Sequence, residues 1–242
     1  HFTREEARLL DLCLVCHVEH GGGNNSTFTC RSVSSTGTDT YSAIAAAVGS
    51  LKGPKHGGAN RQVLAQFSLI KQTVRDWKDD DAVADCVGRI LRRELGDGSG
   101  LIYGMGHAVY TLSDPRTVIL RQSARTLAAQ RGMLDELELM EAVERVTPRM
   151  FAEITGHEKV MCANVDMYSG LIYQMLDIPP DLFTPLFAVA RITGWCAHRM
   201  EEVLTGGRLY RPAYKSLTRH REYIPMAART YRKNPLPAEK RD

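Results

Sequence analysis

Leu101 to Arg116 reads LIYGMGHAVYTLSDPR, a histidine-bearing turn that runs into a helix start. Gly104 and Gly106 flank the approach to His107, and glycine lets a backbone come close to a ligand because it has no side chain and accepts positive φ. Ser113 is the expected N-cap of the following helix, with Pro115 in its first turn. Arg116 then stands near that helix start, facing whatever His107 faces. A lone histidine in a glycine turn is more often structural than catalytic. Here, however, the arrangement recurs: helix, glycine turn with histidine, helix. It predicts a mostly α fold whose chemistry sits in the turns.

Working outward, helices are expected over about 113–130 and 134–154 downstream, and over 59–77 and 81–95 upstream. At the start of the chain, Thr3 to Glu6 form a capping box ahead of a wide apolar stripe from Ala7 to Val15. That helix ends at His17–His20, followed by Gly21 to Ser26, and a functional reading puts His20 at the mouth of a cleft. Thr38 or Asp39 caps a small-residue helix, Tyr41 to Leu51, suited to close packing or a subunit interface. It leads to a second glycine-flanked histidine, His56. A helix N-terminus beside that ring disfavours the imidazolium and favours a neutral, hydrogen-bond-donating ring. Asp166 lies at the start of an apolar helix, where N-cap and functional carboxylate are both open readings. A long apolar helix over 182–204 carries Arg191, and burying an arginine is costly without an anion to pair it. The segment 208–214 is short and extended, and beyond Pro225 a basic tail is expected. No internal repeat and no strand alternation is visible.

Composition bounds the function classes. The 242 residues are 43% hydrophobic, enough to bury a sizeable core, and the net charge of +3 is interspersed rather than blocked. That argues against a nucleic-acid or membrane surface as main partner. No apolar run has the length of a membrane span, and no signal-peptide core or other leader is expected before a chain that opens at a helix start. Cys13, Cys16, Cys30, Cys86, Cys162 and Cys196 read as reduced, buried small hydrophobes of a cytoplasmic protein. Cys13 and Cys16 match C-x-x-C without a second pair or redox pattern. His17 and His20 lack a third metal ligand nearby, and the glycines after His20 lack the Gly-Lys-Ser/Thr of a phosphate loop.

Six motifs, HGGGNNST (20–27), GPKHGGAN (53–60), GMGHAVYTLSDPR (104–116), NVDMYSG (164–170), LFTPLFAVARITGW (182–195) and RLYRP (208–212), resemble citrate synthase in order along nearly the whole chain. The resemblance implies an all-α fold: a large helical domain, 1–56 and 179–242, with an inserted smaller helical domain, 57–178. Family members are longer, so the N-terminal helices of the large domain are expected to be missing. By resemblance, the reaction is condensation of acetyl-CoA with oxaloacetate to citrate and CoA, with Asp166 as base, His56 as neutral donor to the thioester oxygen and His107 as acid on the ketone. Arg116, Arg191 and Arg211 match the arginines that hold the two carboxylates, and His20 matches a further oxaloacetate contact. Ser26 and Asn164 are expected to orient these groups. Leu101, Ile102, Tyr103, Gly104, Met105 and Gly106 match the loop against the coenzyme A adenine. Some relatives carry a basic residue where Thr111 stands, so Lys159 is the expected phosphate contact; some have Glu where Gly21 stands. No metal and no permanently bound cofactor is implied, acetyl-CoA being a co-substrate. The implied assembly is a homodimer with Arg211 acting in trans. A 2-methylcitrate synthase using propionyl-CoA and a non-catalytic ligand-binding or scaffold fragment are the alternatives.

Overall fold

The computed structural model describes residues 2–107, 109–215, 217 and 222–229. The chain divides into two units, 1–210 and 211–242. The first is built from α1 (Arg4–His17), α2 (Asn25–Ser34), α3 (Thr40–Leu51), α4 (Ala59–Thr73), α5 (Asp80–Leu91), α6 (Pro115–Gln130), α7 (Leu134–Thr155), α8 (Asp166–Met175) and α9 (Phe183–Thr205). Among the described residues there is no strand, only one isolated bridge between Met105 and Ala163. No described helix is long and apolar enough to cross a membrane.

Local chemistry explains most of the boundaries. The Thr3 hydroxyl accepts from Glu6 N (3.1 Å) while Glu6 Oε2 accepts from Thr3 N (2.7 Å), the reciprocal box that starts α1. Asp39, not Thr38, caps α3 through Ser42 N. Left-handed glycines, Gly156 (φ 71°) and Gly206 (φ 61°), stop α7 and α9. Three expectations are corrected. Asp114 rather than Ser113 caps α6, because its carboxylate accepts from Arg116 N at 3.0 Å. The N-cap of α8 is Val165, with no side-chain cap bond, so Asp166 is the first helical residue and is not a cap. Helices α4 and α5 end at Thr73 and Leu91, four residues short of the expected ends. The helix α2 was not anticipated, since its sequence, NSTFTCRSVS, is rich in Ser, Thr and Asn that compete with helical hydrogen bonding.

Two apolar cores hold the first unit. One joins α1 with α4 to α8 and the start of α9 through residues such as Leu9, Phe67, Val87, Leu120, Val143, Ile172 and Phe183. The other joins α2, α3 and α9 through Cys30, Ala43, Ala47, Leu51, Phe187 and Trp195. The small side chains of α3 thus face α2 and α9 in part, letting the helices approach closely. All six cysteines are free thiols, five of them buried. In the second unit, the described residues include a short 3-10 turn, Met226–Ala228, and Arg229 Nε donates to Ile224 O at 2.9 Å. Most of the expected basic tail lies outside the described residues.

Candidate active site

The turn after α1 meets the long turn before α6, which lies against the segment leading into α8. His107 Nδ1 accepts from Val109 N (2.9 Å) and Tyr110 N (3.0 Å). A neutral ring with an accepting Nδ1 carries its proton on Nε2. That Nε2–H points at His20 Nε2, 2.9 Å away, which must therefore be the acceptor. Arg116 Nη2 lies 3.4 Å from His107 Nε2. Two donors thus converge on one space, and an oxygen ligand could take the accepting place His20 holds. Arg116 is itself gripped by the Asp114 carboxylate, at 3.0 Å through Nε and 2.7 Å through Nη2. Asp114 is buried at 1% exposure, so this is a shielded, bidentate pair.

Asn164 ties this wall to α8. Its Nδ2 donates to Gly106 O (3.0 Å), its backbone N to Gly104 O (2.8 Å), and its Oδ1 accepts from Asp166 N (3.1 Å). Gly104 has φ +86°, and a Cβ there would come within 3.1 Å of Met167 Cα, so only glycine allows the loop to lie on α8. The rest of loop 101–106 is held by Gln66, which donates Nε2–H to Leu101 O (2.8 Å) and accepts Tyr103 N–H (2.9 Å).

Asp166 completes this wall. Its residue is only partly buried, but Oδ1 is shut from solvent and has no hydrogen-bond partner. Burial pushes its carboxyl up to about 7, against the pull of Arg116 and Arg191. Burial, reinforced by the neighbouring guanidinium of Arg116, lowers His20 to about 4 and moves His107 in the same direction. These rings are neutral near pH 7.

The opposite wall comes from α2, α9 and the turn before α4. Arg191 is fully buried. Its Nε donates to His17 O, its Nη1 to Asn24 Oδ1 (3.1 Å), and its guanidinium lies 4.8 Å from the Phe187 ring centroid. These partners are uncharged, and burial lowers its pKa to about 10. Asn24 Oδ1 also accepts from Ser26 Oγ (2.9 Å), which itself accepts from Trp195 Nε1 (3.2 Å) and meets His56 Nε2 (2.9 Å). The hydroxyl has one proton, and a His56 ring that donates from Nδ1 to a ligand requires it to turn from Asn24 Oδ1 to His56 Nε2. Burial holds His56 at about 4, so this ring too is neutral. Among the described residues, no cluster of three His, Cys, Asp or Glu side chains could hold a metal ion.

The first 213 residues match the family model described as "Citrate synthase, C-terminal domain". The chain belongs to the citrate synthase family. A citrate synthase of Synechocystis is 42% identical over 92% of this chain and 52% of its own length. A 2-methylcitrate synthase of Corynebacterium glutamicum is 37% identical over 94% of this chain and 54% of its own. The chain therefore spans about half the length of the curated relatives it matches. The citrate synthase of Thermoplasma acidophilum, solved with carboxymethyl coenzyme A and oxaloacetate, superposes with a TM-score of 0.76 at 31% identity, over 94% of this chain and 56% of that one.

Of the residues singled out in the sequence, His20, His107, Arg116, Asn164 and Asp166 meet around the start of α8, and His56, Ser26 and Arg191 meet through Asn24 and Phe187. Lys159 is exposed on the segment after α7. Arg211 belongs to the second unit. Sequence reasoning missed Asp114, Asn24, Gln66 and Trp195. Asp114 and Asn24 stood inside recognised motifs without a role of their own. Gln66 and Trp195 lie at helical positions whose polar contacts come from segments distant in sequence.

Proposed function

We propose that the complete protein condenses an acyl-CoA with oxaloacetate, acetyl-CoA giving citrate. The observation that carries this reading is Asp166, a raised, partnerless carboxyl beside a pair of converging donors and a buried, charge-uncompensated arginine. Deprotonated, Asp166 takes a proton from the carbon next to the thioester, and the neutral His56 ring donates Nδ1–H to the developing enolate oxygen. The carbanion adds to the ketone carbon of oxaloacetate while His107 donates its Nε2 proton to the ketone oxygen. Water then hydrolyses the thioester and releases CoA. Arg116, Arg191 and Arg211 bind the two carboxylates, Arg211 from the second subunit of a homodimer. Loop 101–106, clamped by Gln66, offers backbone groups to the nucleotide end of the coenzyme, and Lys159 its charge. Residues 57–178 act as the small domain that closes on segments 1–56 and 179–242 once oxaloacetate is bound. The free thiols support a reducing, cytoplasmic setting.

The test is a steady-state assay of the full-length enzyme with oxaloacetate, comparing acetyl-CoA with propionyl-CoA. Higher kcat/KM for acetyl-CoA is expected. A preference for propionyl-CoA moves the assignment to 2-methylcitrate synthesis, and CoA release with neither leaves a binding protein. Mixing inactive Arg211→Ala and Asp166→Ala dimers restores activity if Arg211 works in trans, and leaves the mixture inactive if it works in cis.

A further inference from the structure

Away from the reacting groups, three polar side chains from three segments meet at the end of the first unit. Arg31 of α2 donates Nη2–H to the Tyr210 hydroxyl at 2.8 Å. That hydroxyl donates to Glu202 Oε2 of α9, and Arg31 pairs with the same carboxylate at 3.7 Å. Glu202 is 7% exposed. A carboxylate so enclosed needs its donors, since leaving one unmade costs its desolvation. Glycines make the room: a Cβ at Gly207 would collide with Glu202 Oε1, and one at Gly22 with Arg31 Nη1. The backbone of Tyr210 is held as well, its N–H donating to Ser35 Oγ at 3.1 Å, and its ring stacks with Phe28 at 6.4 Å.

This cluster backs directly onto the His20 loop. Gly22 also packs near His198, and His198 Nε2 lies 3.1 Å from Glu19 Oε1, which accepts the N–H groups of His20 and Gly21. The residue after Tyr210 is Arg211.

We propose that Arg31, Glu202 and Tyr210 form a lock that fixes where the chain leaves the first unit, so that the backbone leading into Arg211 starts from a fixed point, and that ties this point to the loop carrying His20. The proposal rests on Arg211 being a ketoacid ligand. Holding a single residue ahead of an arginine spares the ordering of its backbone on binding, worth about tenfold in affinity. None of the three locking residues contacts the proton-transfer groups, so they are positioning residues. Because Gly22 and Arg31 share one space, a shift at Tyr210 is felt at His20.

The test uses Tyr210→Phe, which removes a single oxygen, and Glu202→Gln, both in the full-length enzyme. Hydrogen exchange by mass spectrometry should show faster exchange at residues 208–211 and at 19–22. The KM for oxaloacetate should rise about tenfold, with kcat and the KM for acyl-CoA within twofold. In the Arg211→Ala background, which does not turn over, oxaloacetate affinity is read by calorimetry, and Tyr210→Phe should lower it no further. Unchanged exchange overturns the lock whatever the activity shows, so it separates this failure from failure of the assigned reaction. Faster exchange with unchanged KM makes the cluster purely structural, and an effect that adds to Arg211→Ala places it outside the Arg211 pathway; either result overturns the proposal.

Discussion

Arg116 and Arg191 face one site from opposite walls, and they are held in opposite ways. Arg116, at the N-terminus of α6, is paired with a buried carboxylate, Asp114. Arg191, in the middle of α9, is buried completely among a carbonyl, an amide and an aromatic ring. The first pair is neutral overall, so its burial is tolerated without ligand, and Asp114 serves to aim the guanidinium. Among the described residues the second has no carboxylate at ion-pair distance, Glu19 and Asp166 acting on it only from further off, and an anion from outside would complete it. One arginine is therefore set for orientation and the other for affinity. Asp166 stands within the field of both, which is why its carboxyl is pushed up by burial yet kept near 7 by the two cations.

The comparison can be broken most sharply at Asp166. Asp166→Asn should lower kcat by about a thousandfold or more, because the amide cannot accept the proton, while oxaloacetate affinity changes only a few-fold. Calorimetry alongside turnover would check this; equal loss of both would make Asp166 a mere structural residue. Next in size is Arg116→Leu, which strands the Asp114 carboxylate and should destabilise the fold by about 3–5 kcal/mol, read by denaturant unfolding. Arg191→Leu should behave differently. Without ligand its stability should be unchanged or higher, because a costly buried charge is gone, while oxaloacetate affinity falls by about a hundredfold. Loss of stability in Arg191→Leu equal to that in Arg116→Leu would erase the distinction. Asp114→Asn, which keeps an acceptor but frees the guanidinium, should raise the oxaloacetate KM by about tenfold.

The smallest effect is in pH. The Asp166 carboxyl is raised from 3.8 to about 7 in the fold. The folded state thus retains a proton that the unfolded chain releases above pH 4, and this contribution to stability is lost as pH rises from about 4 to 7. Asp166→Asn should therefore gain stability over the parent across that window, by on the order of 2 kcal/mol at pH 8. His20 and His56, lowered to about 4, have the opposite sign, costing stability as pH falls from 6.5 toward 4. Unfolding free energies at pH 5 and pH 8 would separate the two trends. In turnover, kcat/KM should rise through about pH 7 as Asp166 ionises.

Helical periodicity, glycine turns and caps are short-range chemistry, and they were legible in residues such as Thr3, Gly104 and the apolar stripe of α1. Legibility failed where the local rules are weak or ambiguous. The polar run of α2 forms a helix because Cys30 and its neighbours pack under α3 and α9, a gain that no ten-residue window contains. Ser113 and Asp114 both satisfy the rules for a cap, and the choice fell to Asp114, whose carboxylate also grips the Arg116 side chain.

The amino-acid sequence by itself determined that this chain is helical, that His20, His56 and His107 lie in glycine turns, and that Arg191 sits in an apolar helix asking for an anion. Those are properties of residue order over a few turns of backbone. Only the tertiary structure decided that His20 and His107 touch across 87 positions of sequence, that Asn24 links Arg191 to the Ser26–His56 pair, and that Tyr210 is locked by Arg31 and Glu202. The protonation states follow the same division. A carboxyl near 7 and imidazoles near 4 are set by desolvation and by neighbouring guanidinium groups, and both exist only once distant segments have packed.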